Sequence, residues 1–281
     1  MPPAPTLKLG LIGDNIAASR SPWLHRCAGR LAGLDVTYDR LVPPELGQDF
    51  ATVLAGARAG GYRGVNVTYP YKERVVAEVT VPDPMVRAMG AVNTVVFAET
   101  GPQGHNTDYT GFMAAYRAVR GDRAPGTVCL IGTGGVGRAV GFGLLGLGAA
   151  AVRCTDVDAD KARALAAALA APGTATRIEV SADAAAAARG ADGLVNCTPL
   201  GMAGIGGSAL GAAHMRGARW AFDAVYTPVD TQFLTDAAAA GLEVVSGYEL
   251  FFGQGLDAWR IFSGRPVDAA ALRAAVAEPE D

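Results

Sequence analysis

The chain has 281 residues, more than a single domain of roughly 100 to 200 residues needs, so two domains, each with its own core, are expected. Half of the residues are hydrophobic and 18% are charged; this describes a globular chain, since glycine or arginine breaks every apolar tract before the roughly 18 residues of a membrane span. A net charge of −3 excludes a broad basic surface for nucleic acid or an anionic membrane, and a small anionic ligand would need a local basic site.

The opening MPPAPTLKLG is proline-rich and lacks the charged and then apolar regions of a signal peptide, so a cytoplasmic protein is expected. Leu7 to Ile12 reads as a strand ending at Gly13. Ser21 and Pro22 read as the cap and first residue of a helix from Trp23 to Leu31, with Leu24, Cys27, Ala28 and Leu31 on one face and Gly33 as its stop. A strand from Val36 to Val42, a helix from Phe50 to Ala59 and a strand from Gly64 to Thr68 follow. Pro70 introduces another helix, and Ala91 to Phe97 is the next strand. Alternating strands and helices predict an α/β sheet.

A helix is predicted from Thr110 to Arg120, and the turn Gly121 to Gly126 reads as the crossing into a second domain. That domain opens on Val128 to Ile131, the cluster Gly132, Gly134, Gly135, Val136 and Gly137, an apolar helix, and a strand from Ala151 to Cys154. This is the strand, tight turn, helix and strand of a dinucleotide-binding unit, in which glycine lets the backbone approach a pyrophosphate and the helix N-terminus faces that anion. Asp156 lies 24 residues beyond Gly132, near the roughly 20 expected for an acid that holds a ribose diol. A carboxylate there favours NAD over NADP, whose 2′-phosphate it would repel. Arg153 sits nearby, though within the strand; Asp158 could take the same ribose role if the strand ends later; and a merely capping role for Asp156 would leave the cofactor preference open.

Further on come an alanine-rich helix (Lys161 to Ala171), a strand near Ile178, a helix from Ser181 to Arg189, strands Gly193 to Cys197 and Trp220 to Ala224, a helix from Thr231 to Ala240, and the strand Leu242 to Ser246. A last helix, Tyr248 to Phe262, carries Leu250, Phe251, Leu256, Trp259 and Phe262; it is too apolar for a tail and is expected to return to the first domain. The predicted architecture is two α/β domains around a cleft: residues 1–121 for substrate and catalysis, 122–246 as a Rossmann-type NAD(P)-binding domain, and 247–281 as the returning helical segment.

Four cysteines, Cys27, Cys129, Cys154 and Cys197, stand singly among apolar neighbours, which fits buried thiols rather than disulfides or a metal site. His25, His105 and His214 have no metal spacing. Dense polar clusters in turn contexts mark the first domain: Ser19 to Pro22, Asn66 to Lys72, Gly90 to Thr94, and Gly104 to Asp108. Amides and hydroxyls at strand ends suit a polyhydroxylated ligand, because each hydroxyl both donates and accepts.

In this order the clusters form the motifs S-x-S-P, N-V-T-x-P-x-K, G-A-V-N-T and N-T-D, followed by the glycine loop and a late glutamine, Gln254. The chain thereby resembles the shikimate dehydrogenase family from Ser19 to Gln254. The resemblance implies that Ser19 and Ser21 hold a substrate carboxylate, that Thr68, Asn93 and Gln254 contact ring hydroxyls, and that Lys72 and Asp108 are the catalytic pair. It also places Tyr226 near the substrate and Gly247 near the nicotinamide. Asp156 stands where NADP-using members carry an Asn-Arg-Thr type of turn, so it is similar to the NAD-using quinate/shikimate branch; position 20 is arginine instead of lysine, and Leu250 replaces a frequent methionine. The implied activity is reversible hydride transfer between NAD, with NADP possible, and shikimate or a close cyclitol carboxylate. Quinate and an amino analogue stay open as substrates, aromatic-amino-acid biosynthesis and a catabolic role as settings, and monomer or homodimer as assembly. A ligand sensor without turnover and a folate-linked dehydrogenase are the alternatives; the first has no use for Lys72, and the second leaves S-x-S-P and Gln254 unexplained.

Overall fold

The computed structural model describes residues 6–170 and 173–279. It resolves into two compact units, one holding the chain up to Thr107 and from Gln254 onward, the other Asp108–Gly253.

The first unit is built on β1 (Thr6–Ile12), α1 (Ser21–Ala32), β2 (Asp35–Leu41), α2 (Pro43–Leu46), α3 (Phe50–Ala59), β3 (Gly64–Val67), a 3-10 turn over Arg74–Glu78, α4 (Pro84–Met89), β4 (Thr94–Ala98) and β5 (Gly101–His105). Its sheet has the order β2-β1-β3-β4-β5. β1 pairs in parallel with β2 and β3, whereas β4 is antiparallel to both β3 and β5. Local chemistry sets the helix ends. Asp49 caps α3 by accepting from Thr52 N at 2.8 Å, and Gly33, in the left-handed region at φ 69°, stops α1 while Leu34 N donates back to Gly29 O at 2.9 Å. Ile12, Phe50, Val53, Val65, Val67, Tyr71 and Val95 are among the buried residues of one core cluster.

Several expectations are corrected here. Ser21 is the first residue of α1, not its cap; Arg20 takes the cap position without a side-chain capping bond, because Ser19 Oγ already accepts from Ser21 N at 3.3 Å. Leu31 is exposed although it shares the face of Leu24, because it lies in the last turn of α1. The helix expected after Pro70 is the short 3-10 turn, and strand pairing of β4 begins only at Thr94, because Val92 N is spent on Lys72 O at 2.8 Å.

The second unit contains most of α5 (Thr107–Arg120), then β6 (Thr127–Ile131), α6 (Gly135–Gly146), β7 (Ala151–Thr155), α7 (Ala159–Leu169), β8 (Arg177–Val180), α8 (Ala184–Ala188), β9 (Gly193–Asn196), β10 (Trp220–Asp223), α9 (Gln232–Ala239), β11 (Glu243–Val245) and the first turns of α10 (Gly247–Ser263). Six parallel strands run β11-β10-β9-β6-β7-β8, the doubly wound order of dinucleotide-binding folds, with the reversal of strand order between β6 and β9. The last expected residue of α7, Ala171, lies outside the described residues.

The division of units falls inside α5 and α10, not in the Gly121 to Gly126 turn. Aromatic packing explains why. Phe112 meets Phe222 edge-on at 5.0 Å, Tyr116 meets Trp220 at 5.0 Å, and Phe251 stacks on Tyr226 at 4.7 Å, all within the second unit. Beyond Gln254 the chain serves the first unit: Leu272 and Val276 of α11 (Ala269–Ala277) are buried, and Arg20 donates to Val276 O at 2.6 Å.

Candidate active site

In the first unit, Ile12 is paired with Val67, Asn66 with Thr94, and Thr94 with His105. The loops that leave β1 and β3, enter β4 and follow β5 therefore share one edge of the sheet, the carboxyl edge of its parallel strands, where α/β folds bind ligands. Ser19 and Ser21 meet there, Ser19 Oγ donating to Ser21 Oγ at 3.3 Å. Arg40 reaches the Ser19 carbonyl at 3.0 Å, which puts a cation against this loop. Thr68 N donates to Ile12 O at 2.9 Å and Thr68 O accepts from Tyr71 N, and Tyr71 Oη donates to Asp14 at 2.6 Å. Half-buried Lys72 is fastened to the segment that precedes Asn93 by the Val92 N to Lys72 O bond.

Asn93 is buried at this edge, 3% exposed. Its Oδ1 accepts from Thr107 N at 2.8 Å and Thr94 Oγ1 at 2.9 Å, and its Nδ2 donates to Thr107 Oγ1 at 3.0 Å. Thr107 Oγ1 in turn donates to Gln254 Oε1 at 3.4 Å, so two residues far apart in sequence are joined through one hydroxyl. Behind them, Asn66 bonds Tyr38 and Thr94. The sequence reading gave no role to Tyr38, Asn66, Thr94 or Thr107. The signal available was the matched N-V-T and V-N-T runs, whose asparagine and threonine become cross-strand neighbours.

In the second unit, Gly132 ends β6 at φ 88°, a conformation that favours glycine. Gly134 precedes α6, and Gly135, Val136 and Gly137 form its first turn. A Cβ on Gly137 would sit 2.0 Å from Gly132 O; only glycine allows the helix so close to the strand end. Asp156 follows β7, its Oδ2 accepting from Thr133 N at 2.7 Å and Thr133 Oγ1 at 2.9 Å, its Oδ1 from Asp158 N at 3.0 Å. Burial pushes this carboxyl up, but the bonds from Asp158 and Thr133 with nearby Lys161 hold it below the ordinary range. The cap of α7 is Asp158, which accepts from Asp160 N and Lys161 N, so the alternative in which Asp156 caps that helix is removed. Arg153 points its charge to Glu179 at 3.0 Å and to the Ala187 and Arg189 carbonyls.

Asp108 is buried in the first turn of α5. Gly247 opens α10 against the carbonyls of Val225, Ala224 and Asp223, each within 2.7 Å of where a Cβ would lie. Asp223 anchors the segment bearing Tyr226, accepting from Val225 N, Asn196 Nδ2 and Thr231 Oγ1; burial outweighs these bonds and pushes its pKa up to about 6. Half-buried His105 is held below the usual histidine range by burial, against the pull of Asp83. Cys27, Cys129 and Cys154 are buried and Cys197 half-buried. Among the described residues no group of three His, Cys, Asp or Glu could hold a metal, and no helix is long and apolar enough to cross a membrane.

Residues 11–95 match the model of the shikimate dehydrogenase substrate binding domain. The quinate/shikimate dehydrogenase (NAD(+)) of Corynebacterium efficiens is 36% identical over 280 residues, covering 96% of this chain and 97% of that protein. The chain belongs to the shikimate dehydrogenase family. Another relative, the shikimate dehydrogenase (NADP(+)) of an Arthrobacter strain, is 36% identical over 96% of this chain and 94% of its own length. The solved quinate dehydrogenase from Corynebacterium glutamicum in complex with NAD superimposes with a TM-score of 0.84 at 34% identity, covering 96% of this chain and 98% of that one. As a shikimate dehydrogenase family member the chain is an oxidoreductase acting on a CH–OH group with a nicotinamide nucleotide. The matched span 11–95 holds Ser19, Ser21, Thr68, Lys72 and Asn93, and with them Tyr38, Asn66 and Thr94.

Proposed function

We propose that the protein is an NAD-preferring shikimate dehydrogenase, with Lys72 and Asp108 as its catalytic pair. The residues around the glycine loop fit a dinucleotide: at Gly132 and Gly137 a Cβ would meet the chain's own backbone, so glycine alone permits this tight turn, at Gly134 a Cβ would meet nothing within 4 Å, and the α6 N-terminus offers N–H groups to a pyrophosphate. Gly132, Gly134, Gly135, Val136 and Gly137 would hold the pyrophosphate, Asp156 the adenosine ribose, and Gly247 would lie against the nicotinamide. The bound nucleotide supplies or accepts a hydride.

The chain's own residues do the rest. Ser19 and Ser21 donate to the substrate carboxylate, and Thr68, Asn93 and Gln254 meet the ring hydroxyls. As a ring ketone is reduced, negative charge grows on its oxygen; the Lys72 ammonium stabilises that charge and delivers the proton. In the reverse direction the lysine amine receives it. Asp108 would orient and pair with Lys72, and Tyr226 would lie near the substrate.

The observation that carries the nucleotide preference is Asp156, whose carboxylate is fixed to the glycine loop through Thr133 while Asp158 takes the cap. A 2′-phosphate brought to this place meets a negative charge. Quinate is a second reading, supported by the names of the Corynebacterium relatives. Initial rates with shikimate or quinate, each with NAD or NADP, separate these readings. Turnover of shikimate with NAD well above NADP is expected. Faster quinate turnover moves the substrate, an NADP preference withdraws the Asp156 argument, and silence in all four reactions from folded protein points to a different ring acid or to a sensor.

A further inference from the structure

A backbone N–H only donates and a backbone carbonyl only accepts, and two such fixed points orient every amide and hydroxyl behind Asn93. Thr107 N meets the Asn93 side chain at 2.8 Å, so that atom is Oδ1, and the other, Nδ2, donates to Thr107 Oγ1. At the far end, the Asn93 backbone carbonyl fixes Asn66 Nδ2 at 3.4 Å, which turns Asn66 Oδ1 to the Tyr38 hydroxyl at 2.8 Å. Asn66 Nδ2 also donates to Thr94 Oγ1 at 3.1 Å. Thr94 therefore spends its own hydrogen on Asn93 Oδ1 at 2.9 Å, in preference to the Thr107 hydroxyl at 3.5 Å. Donation runs one way, from Tyr38 through Asn66 and Thr94 to Asn93. His25, neutral because burial pushes its pKa to about 3, hydrogen-bonds Asn66 and adds no charge to the chain.

We infer that Thr94 is a positioning residue, whose hydroxyl joins Thr107 N in holding Asn93 Oδ1, so that Asn93 offers a ligand its N–H and not its carbonyl. Asn93 Oδ1 is filled by Thr107 and Thr94, whereas the second hydrogen on Nδ2 has no acceptor among the described residues. The inference rests on the proposed placing of Asn93 against a ring oxygen, and it narrows the chemistry of that position. The ligand atom there must carry a free lone pair, as a ring hydroxyl or the corresponding ketone oxygen does. An ammonium at the same position would set donor against donor, so a ring-amino analogue with its nitrogen at that position is disfavoured. The chain lies wholly within the first unit and involves none of the residues proposed to bind the nucleotide.

The test compares Thr94→Val, which keeps the shape and removes the hydroxyl, with Thr94→Ser, which keeps the hydroxyl. Thr94→Val is expected to raise the KM for shikimate about tenfold, the effect of losing one orienting hydrogen bond, with the KM for NAD unchanged; Thr94→Ser restores the wild-type KM. A structural role alone would lower the melting midpoint without moving the shikimate KM. The second readout needs no substrate: 15N-edited spectra of the side-chain amides, with the Asn93 pair assigned by its loss in Asn93→Asp. That pair is expected to be sharp in wild type and Thr94→Ser, and to broaden or move toward the position of a free amide in Thr94→Val. An Asn93 pair unchanged in Thr94→Val overturns the inference whether or not shikimate turns over. Absence of turnover in the wild type, with the amide shift observed, overturns the shikimate reading and leaves the positioning role standing.

Discussion

Acid should weaken the first unit through one residue, His25. It sits on α1 at 1% exposure, stacked on Tyr38 at 5.2 Å, edge-on to Phe262 at 5.6 Å and 6.3 Å from Trp259. Its Nδ1 has no hydrogen-bond partner among the described residues, and burial pushes its pKa from 6.5 to about 3. The unfolded chain therefore takes up a proton that the folded chain refuses. Stability linked to this group is fully present above about pH 6.5 and is lost as pH falls toward 3. The complete shift amounts to about 5 kcal/mol, and about 2 kcal/mol of it is gone by about pH 5, a large part of the 5 to about 15 kcal/mol that holds a typical domain. Urea unfolding at steps from about pH 8 to pH 5, followed by tryptophan fluorescence, reads this loss, since Trp23 and Trp259 both belong to the first unit. Wild type should lose midpoint steadily below about pH 6.5. His25→Gln, which keeps a donor for Asn66 but cannot titrate there, should start less stable and show a flatter profile. A wild-type midpoint that does not move over this range, or a variant with the wild-type slope, refutes the reasoning.

The second unit should answer acid in the opposite sense. Asp223, with its pKa raised to about 6, contributes stability that is full below about pH 3.8 and lost as pH rises through 6, about 3 kcal/mol in all; Asp223→Asn, whose Oδ1 can still accept from Val225 N and Asn196, should flatten that rise in pH-dependent unfolding of the unit. Gly137→Ala forces a methyl to within 2.0 Å of Gly132 O and should weaken NAD binding at least about tenfold by titration calorimetry, since the loop must shift to admit it; wild-type affinity would contradict the role given to the loop. Lys72→Ala should lower kcat by about 10² to 10⁴ while the folded protein keeps its melting midpoint, and full turnover would remove Lys72 from the chemistry.

Elements with a local cause were readable from the sequence. The unit from Val128 to Asp156 carried its own punctuation: an apolar run, glycines that only a tight turn requires, and an acid at the end of the second strand. α3 was read over its observed span, Phe50 to Ala59, and its causes are local: the structure shows Asp49 as its cap and Phe50, Val53, Leu54 and Ala57 on its buried face. β5 did not, because Gly-Pro-Gln-Gly-His has no alternation and becomes a strand only through its pairing with β4. α11 was likewise silent: a run of alanines fits any helix or none, and what fixes it is Leu272 and Val276 entering the core and the Arg20 bond to Val276 O. The glycine and polar motifs were visible as candidates, but the order of donors behind Asn93 was not. That order depends on Asn66 and Thr94 falling opposite each other across β3 and β4, a register that no single motif states.

The first unit is interrupted in sequence by the second, and the ribosome meets that interruption in a fixed order. Strands β1 to β5 emerge early, but Trp259 and Phe262, which cover His25, and Gly255, where a Cβ would lie 2.7 Å from Leu24 Cδ1, emerge only after the whole of the second unit has been made. The second unit can close on itself as soon as residue 253 is free, whereas the first must keep the Leu24 and His25 face of α1 open until residues 254–262 have followed. Within one polypeptide, the half that begins first is thus the half that finishes last, and an arrested nascent chain lacking residues 254–281 should show a finished nucleotide fold beside an apolar surface ready to recruit a chaperone.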